Sequence, residues 1–176
     1  MKELLILGRS PFINELDLTK IDYNRFDVCC INYPIPDIKV HYVVAADYWT
    51  EPKLASKTEF ISQNTGWELI KTDERIITKE KQLTWGFFSS SLAVNFAILR
   101  GYKTAYIAGV DLFEDDKPFT HYDGVVNRNI SSTDACRGEK RYIQKLGEKI
   151  ELYQLNPMCN WLKYKDIGLI KGKNYD

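Results

Sequence analysis

Histidine is scarce in this chain: only His41 and His121 occur among 176 residues, so imidazole chemistry rests on one of two positions. Cysteine is sparse too. Cys29, Cys30, Cys136 and Cys159 show no C-x-x-C spacing, and the adjacent pair would face opposite sides of a strand, which makes poor metal co-ligands. The four thiols read as buried groups of a protein kept in a reducing cytoplasm. Charge of one sign is missing as well: 24 Lys+Arg balance 24 Asp+Glu, and the pI is near 6.7. That balance argues against broad nucleic-acid or anionic-membrane surfaces, which depend on unpaired Lys and Arg. No run approaches the ~18 consecutive apolar residues that cross a bilayer, and Leu4-Leu5-Ile6-Leu7 is too short for a signal peptide's apolar region. Neither G-x-G-x-x-G nor G-x-x-x-x-G-K-[ST] occurs, so ordinary dinucleotide and P-loop readings lose support.

What is present looks globular. Hydrophobic and charged fractions of 44% and 27% lie near the averages of folded domains, and the length favours one domain over residues 1–176. Short apolar runs at Leu4–Leu7, Phe26–Ile31, His41–Ala46, Thr104–Ala108 and Ile150–Leu155 read as buried strands, with weaker ones at 58–62 and 75–78. Between them lie helical patterns: Phe12-Ile13-x-x-Leu16 after Pro11, a short stretch at 50–57, and a capped amphipathic helix from Ser89-Ser90-Ser91 to the Gly101 stop. A longer helix opens at Ser131-Ser132-Thr133-Asp134 and runs to about Gly147, and a short one runs from Asn156-Pro157 through Leu162. Strands alternating with helices predict an α/β fold, a Rossmann-like three-layer sandwich with a largely parallel sheet.

In such sheets ligands sit beyond the carboxyl ends of the strands. Gly8-Arg9-Ser10, Asn32, Asp47 and Asp111 all fall there. Ser89, Ser90 and Ser91 offer hydroxyls and N–H groups at a helix start, a setting that suits a phosphate. Asp111, Glu114, Asp115 and Asp116 suit a hard cation such as Mg²⁺ held with a phosphate, or read simply as a solvated loop. His121 beside Tyr122 and Asp123 has the chemistry of a general base or acid. Trp85, Phe87 and Phe88 would stack a base or pack the core.

Three segments read together resemble a known group. They are Leu5-Ile6-Leu7-Gly8-Arg9-Ser10-Pro11, the stretch from Ser89 through Gly101-Tyr102-Lys103-Thr104-Ala105-Tyr106-Ile107-Ala108-Gly109-Val110-Asp111-Leu112, and Thr120-His121-Tyr122-Asp123-Gly124. The pattern is similar to the Rossmann-like, glycosyltransferase-related family of bacterial CMP-sialic-acid-dependent sialyltransferases and 6-hydroxymethylpterin-diphosphokinase-like proteins. The resemblance implies a nucleotide or nucleotide-sugar donor held by Gly8, Arg9, Ser10 and Asn32, with Ser89 and Ser90 meeting the nucleotide or its sugar. Arg9 stands where the family has a small or amide residue. Val125 stands where its H-Y-x-G-H motif has a second, catalytic His, and Phe113 where it has a tyrosine serving the leaving phosphate. His121, Asp111 and Asp123 are then the candidate catalytic residues, and Asp47 joins the binding set. The function expected is glycosyl transfer from a small-molecule nucleotide donor. The alternatives are a catalytically silent binding protein of the same fold, or Mg²⁺-dependent, diphosphokinase-like transfer from ATP. Self-association into a homo-oligomer is left open.

Overall fold

The computed structural model describes residues 2–45, 59–62, 76–79, 87–114, 117–127 and 133–172. Seven strands, β1 (Glu3–Leu7), β2 (Phe26–Ile31), β3 (Tyr42–Ala45), β4 (Glu59–Ser62), β5 (Ile76–Lys79), β6 (Thr104–Ala108) and a last one at Glu151–Gln154, form one sheet. A two-stranded hairpin, β7 (Phe119–Thr120) with β8 (Val126–Asn127), stands apart, and the last strand is therefore β9. The sheet order is β5-β4-β3-β2-β1-β6-β9, and every neighbouring pair is parallel. The α/β, Rossmann-like prediction therefore holds. The helix predicted at 50–57, Asp47, Trp85 and the stretch 63–75 lie outside the described residues.

A parallel sheet covered on both faces needs apolar side chains pointing both ways, which is why its strands read as short unbroken apolar runs. Leu4, Ile6, Cys29, Ile31, Val44, Ala105 and Ile107 pack toward helices α1 (Ser89–Leu99) and α2 (Thr133–Leu146). Leu5, Leu7, Val28, Cys30, Val43, Tyr106 and Ala108 pack toward the opposite layer. That layer comprises the 3-10 helices Pro11–Glu15 and Leu18–Lys20 and the chain around Ile35, Leu155 and Leu169. Cys29 and Cys30 do face opposite sides.

Three helical readings change. The Phe12–Leu16 spacing yields a five-residue 3-10 helix, because Leu16 leaves it extended to bridge Ile170 and so short a segment does not sustain an α-helix. α1 is buried on nearly every side rather than amphipathic, and Ser89–Ser91 form its buried first turn instead of supplying its N-cap, which is Phe88. Its glycine stop is as read: Gly101 has φ +80, and the N–H groups of Gly101 and Tyr102 bond the carbonyls of Ile98 and Ala97, a Schellman ending. The segment Asn156–Leu162 forms a turn, not a helix. Asn156 Oδ1 accepts the Met158 N–H and its carbonyl accepts the Cys159 N–H, the local competition with helix that asparagine favours.

β1 connects to β2 on one side and pairs with β6 on the other, so the sheet reverses its winding between β1 and β6. There the two exit turns lie on each other. Gly8 N–H bonds the Ala108 carbonyl at 2.7 Å and Ser10 N–H the Gly109 carbonyl at 2.9 Å. A Cβ on Gly8 would come within 2.2 Å of the Gly109 oxygen. Gly8→Ala should therefore lose about 2–3 kcal/mol, because backbone is the obstacle. Gly101→Ala, with open space around it, should lose only the left-handed penalty of about 1 kcal/mol. Urea unfolding of both variants checks this; equal losses would contradict the close-approach argument.

Candidate functional site

The carboxyl ends of β1 and β2 hold an unusual set of polar atoms. Arg9 Nε, Ser10 Oγ and Asn32 Oδ1 are all buried, and none has a hydrogen-bond partner among the described residues. Buried polar groups are ordinarily satisfied, and leaving one unpaired costs roughly 1–3 kcal/mol. Here a donor, a hydroxyl and an acceptor are left unpaired on adjacent strand ends. Asn32 also sits at φ +66, in a three-residue turn closed by Tyr33 N–H on the Ile31 carbonyl at 2.8 Å. Such a turn is strained, and asparagine is among the few residues that tolerate it. Strain of this kind gathers at functional positions.

The rest of the Arg9 side chain is engaged. Its Nη2 donates to Asp123 Oδ2 at 2.7 Å, and its guanidinium lies 4.7 Å from the Tyr33 ring centroid, within cation–π range. Its carbonyl accepts the Tyr122 N–H at 2.7 Å, and Asn14 Nδ2 donates to the Tyr122 carbonyl at 2.9 Å. These contacts fasten the β7–β8 hairpin turn to the loop after β1. The turn itself is closed by His121 N–H on the Val125 carbonyl and Gly124 N–H on the His121 carbonyl. Arg9, His121 and Asp123 are thus brought together.

Their titration reflects that. Burial pushes the His121 imidazole below its ordinary value of 6.5, the Arg9 charge adds to the push, and Asp123 opposes it. A neutral imidazole at pH 7 is the form that accepts a proton. For Asp123, partial burial is outweighed by the Val125 N–H and by Arg9, so its carboxyl lies below the usual 3.8.

Asp111 lies on the neighbouring strand end, and the structure gives it different company. Its Oδ1 accepts from Asn156 Nδ2 at 2.9 Å, and the Cys159 thiol approaches the same oxygen at 3.6 Å. Leu112, the next residue, has φ +51, a second strained backbone at a strand end. Glu114 pairs with Arg137 and Lys140 of α2 at 3.1 and 3.0 Å, which removes it from the suggested cation cluster; Asp115 and Asp116 lie outside the described residues. Among the described residues no three acidic, His or Cys side chains are grouped to hold a metal.

The phosphate reading of Ser89, Ser90 and Ser91 meets an occupant. The Glu139 carboxylate accepts the N–H groups of Phe87 (2.7 Å), Phe88 (3.2 Å) and Ser91 (2.7 Å), with the Ser90 hydroxyl at 2.5 Å. Its side chain is fully buried. The setting is one that attracts an anion, as the sequence indicates, but the anion is the protein's own. Sequence reasoning assigns no part in the site to three residues found there: Tyr33, Asn156 and Glu139. Only Glu139 carries a legible signal, a carboxylate set into the buried stripe Cys136–Glu139–Ile143–Leu146 of α2.

Fold and strand-end site define a Rossmann-like α/β protein with an incompletely satisfied carboxyl edge. No known protein family profile matches the chain, and no curated protein matches it in sequence. Among solved structures it is similar to the sialyltransferase CstII from Campylobacter jejuni in complex with the substrate analogue CMP-3FNeuAc. The match has 15% identity, covers 100% of this chain and 93% of that one, and has a TM-score of 0.52. The same enzyme with cytidine-5'-monophosphate matches at 14% identity, 100% and 92% coverage and TM-score 0.55. At these identities the likeness is one of fold. No helix among the described residues is long and apolar enough to cross a membrane.

The arrangement fixes a pH response. Because His121 and His41 both lie below 6.5 when folded, the unfolded chain binds protons first, so stability should fall as pH drops through and below 6.5. In an NMR titration, Asp123→Asn should lower the His121 midpoint further and Arg9→Met should raise it, since each removes the charge acting in the opposite sense. Midpoints indifferent to both variants would break the proposed grouping.

Proposed function

We propose that residues 1–176 form one domain that binds a nucleotide or nucleotide-sugar at the carboxyl edge of its sheet and transfers the glycosyl group. The observation that carries this reading is the trio of unsatisfied polar atoms on Arg9, Ser10 and Asn32, set beside the strained Asn32 backbone. An acceptor-rich group such as a phosphate answers the Arg9 Nε–H and the Ser10 hydroxyl. A ribose hydroxyl or a base amino group answers Asn32 Oδ1. The fold shared with structures of a sialyltransferase solved with CMP compounds supports the same ligand class.

In the transfer step the acceptor hydroxyl attacks the anomeric carbon as the bond from that carbon to the phosphate oxygen breaks. The acceptor proton passes to neutral His121, and the charge left on the phosphate is met by Arg9, which exchanges Asp123 for the ligand. Gly8 keeps the loop close to β6, and Asp111, bonded by Asn156, holds a sugar or acceptor hydroxyl in this reading. Asp47 belongs to the same set on sequence grounds.

A second reading, binding without turnover, draws on Val125 and Phe113. Both are more than half exposed, at 54% and 51%, and neither supplies a proton donor or acceptor from its side chain.

A thermal-shift panel of CMP, CDP, UDP, GDP and ATP, each with and without Mg²⁺, tests the site. A ligand at ~100 Kd stabilises by about 2.7 kcal/mol, which raises Tm by roughly 5–10 °C in a chain of this size. Arg9→Met should weaken the best binder about 10- to 100-fold, the loss expected for a charge-assisted contact. No shift with any nucleotide would refute the site. His121→Ala should retain binding and lose nucleotide release, followed by chromatography. Binding by the native protein without release in the presence of acceptor sugars would favour the second reading.

A further inference from the structure

Helix α1 begins without a cap of its own. Its N-cap position is Phe88, in extended conformation, whose own side chain makes no capping bond. A helix normally solves this with a capping box, in which one side chain takes the N3 N–H and another takes the N-cap N–H. Here one carboxylate from another helix does both: Glu139 Oε1 takes the Ser91 N–H and Oε2 takes the Phe88 N–H. The Ser91 hydroxyl divides its proton between Glu139 and the Phe88 carbonyl, at 3.2 and 3.0 Å. Gly138 completes the seat, since a Cβ there would come within 2.2 Å of the Phe87 ring.

α1 and α2 each end where a strand begins, so both start at the carboxyl edge, the edge that holds Arg9. The connection to that site is short. The Phe88 ring meets Phe119 edge-on at 5.7 Å, and Phe119 opens the hairpin whose turn carries His121 and Asp123. We propose that Glu139 is the resident anion of the α1 amino terminus and a positioning residue for the edge site. It holds residues 87–91 against α2 and, through Phe88 and Phe119, sets the hairpin on which His121 stands. A ligand's anionic group is thereby excluded from α1 and left to the Arg9 side. The assignment of the anion stands by itself; its effect on ligand binding rests on the nucleotide reading.

The test removes the carboxylate and returns it. Glu139→Ala should lower Tm by on the order of 10 °C, since several buried donors lose their acceptor. Sodium formate should restore at least half of that loss, whereas sodium chloride of equal ionic strength should not, and neither should stabilise the native protein. Glu139→Gln fills the same space but turns an amide toward N–H donors, so it should be destabilised and gain nothing from formate. In the Gln variant the His121 imidazole signal should move in NMR, and the best nucleotide should bind about 10-fold more weakly. Absence of formate rescue in the Ala variant would overturn the anion assignment. Should the Ala variant fail to fold, the Gln variant decides, and an unmoved His121 signal there would overturn the positioning role. Native protein that binds no nucleotide would refute the nucleotide reading and leave formate rescue to decide the anion assignment.

Discussion

The close approach of Gly8 to Gly109 is the contact on which the architecture of the edge depends. A parallel sheet that reverses its winding leaves two chains exiting side by side, and side chains there would hold them apart. Glycine on both removes that separation: Gly109, at φ +70, leaves no room for a Cβ against Ile13, at 2.7 Å. With the two turns in contact, Ser10 bonds the β6 turn directly. Arg9 is delivered to the hairpin, and Asp111 leaves β6 beside them. Had either turn been lifted by a methyl group, the polar atoms would project from separate ridges.

Around this contact the protein neutralises its own charges. Arg9 has Asp123, Glu114 has Arg137 and Lys140, and Glu139 has a ring of N–H and O–H donors. These pairings differ in what it takes to break them. The Arg9–Asp123 pair is partly exposed and is worth no more than about 1 kcal/mol, so a ligand anion exchanges for Asp123 readily. The Glu139 carboxylate is fully buried, and displacing it would expose a whole set of donors to an apolar interior. One anion position is thus open to exchange and the other is fixed.

The strands and their edge were legible in the sequence because they obey one-dimensional rules. β2 and β6 span the apolar runs Phe26–Ile31 and Thr104–Ala108 themselves, and Gly8, Arg9, Ser10 and Asn32 follow their strands by position alone. What escaped depends on tertiary contact. Helical spacing at Phe12–Leu16 gave way because Leu16 is drawn into a bridge with Ile170, far away in the chain. Three serines at a helix start look like a local cap or an anion site; the buried carboxylate that fills the position comes from α2. Glu114 likewise reads as one of an acidic run until α2 brings two cations to it. Nothing about Tyr33 in the sequence shows that it lies under the Arg9 guanidinium.

The position of β1 within the sheet has a consequence for synthesis on the ribosome. β1 is flanked on both sides, by β2 and by β6, and Leu4 through Leu7 end with no exposure to water. β2 emerges soon after, but Leu4 finds Ala105 only after the intervening chain has been translated, on the order of 5–20 s later at typical elongation rates. During that interval one edge of the most apolar strand stands unpaired in a growing chain. Of its two partners, β1 thus meets the second only once β6 has been made.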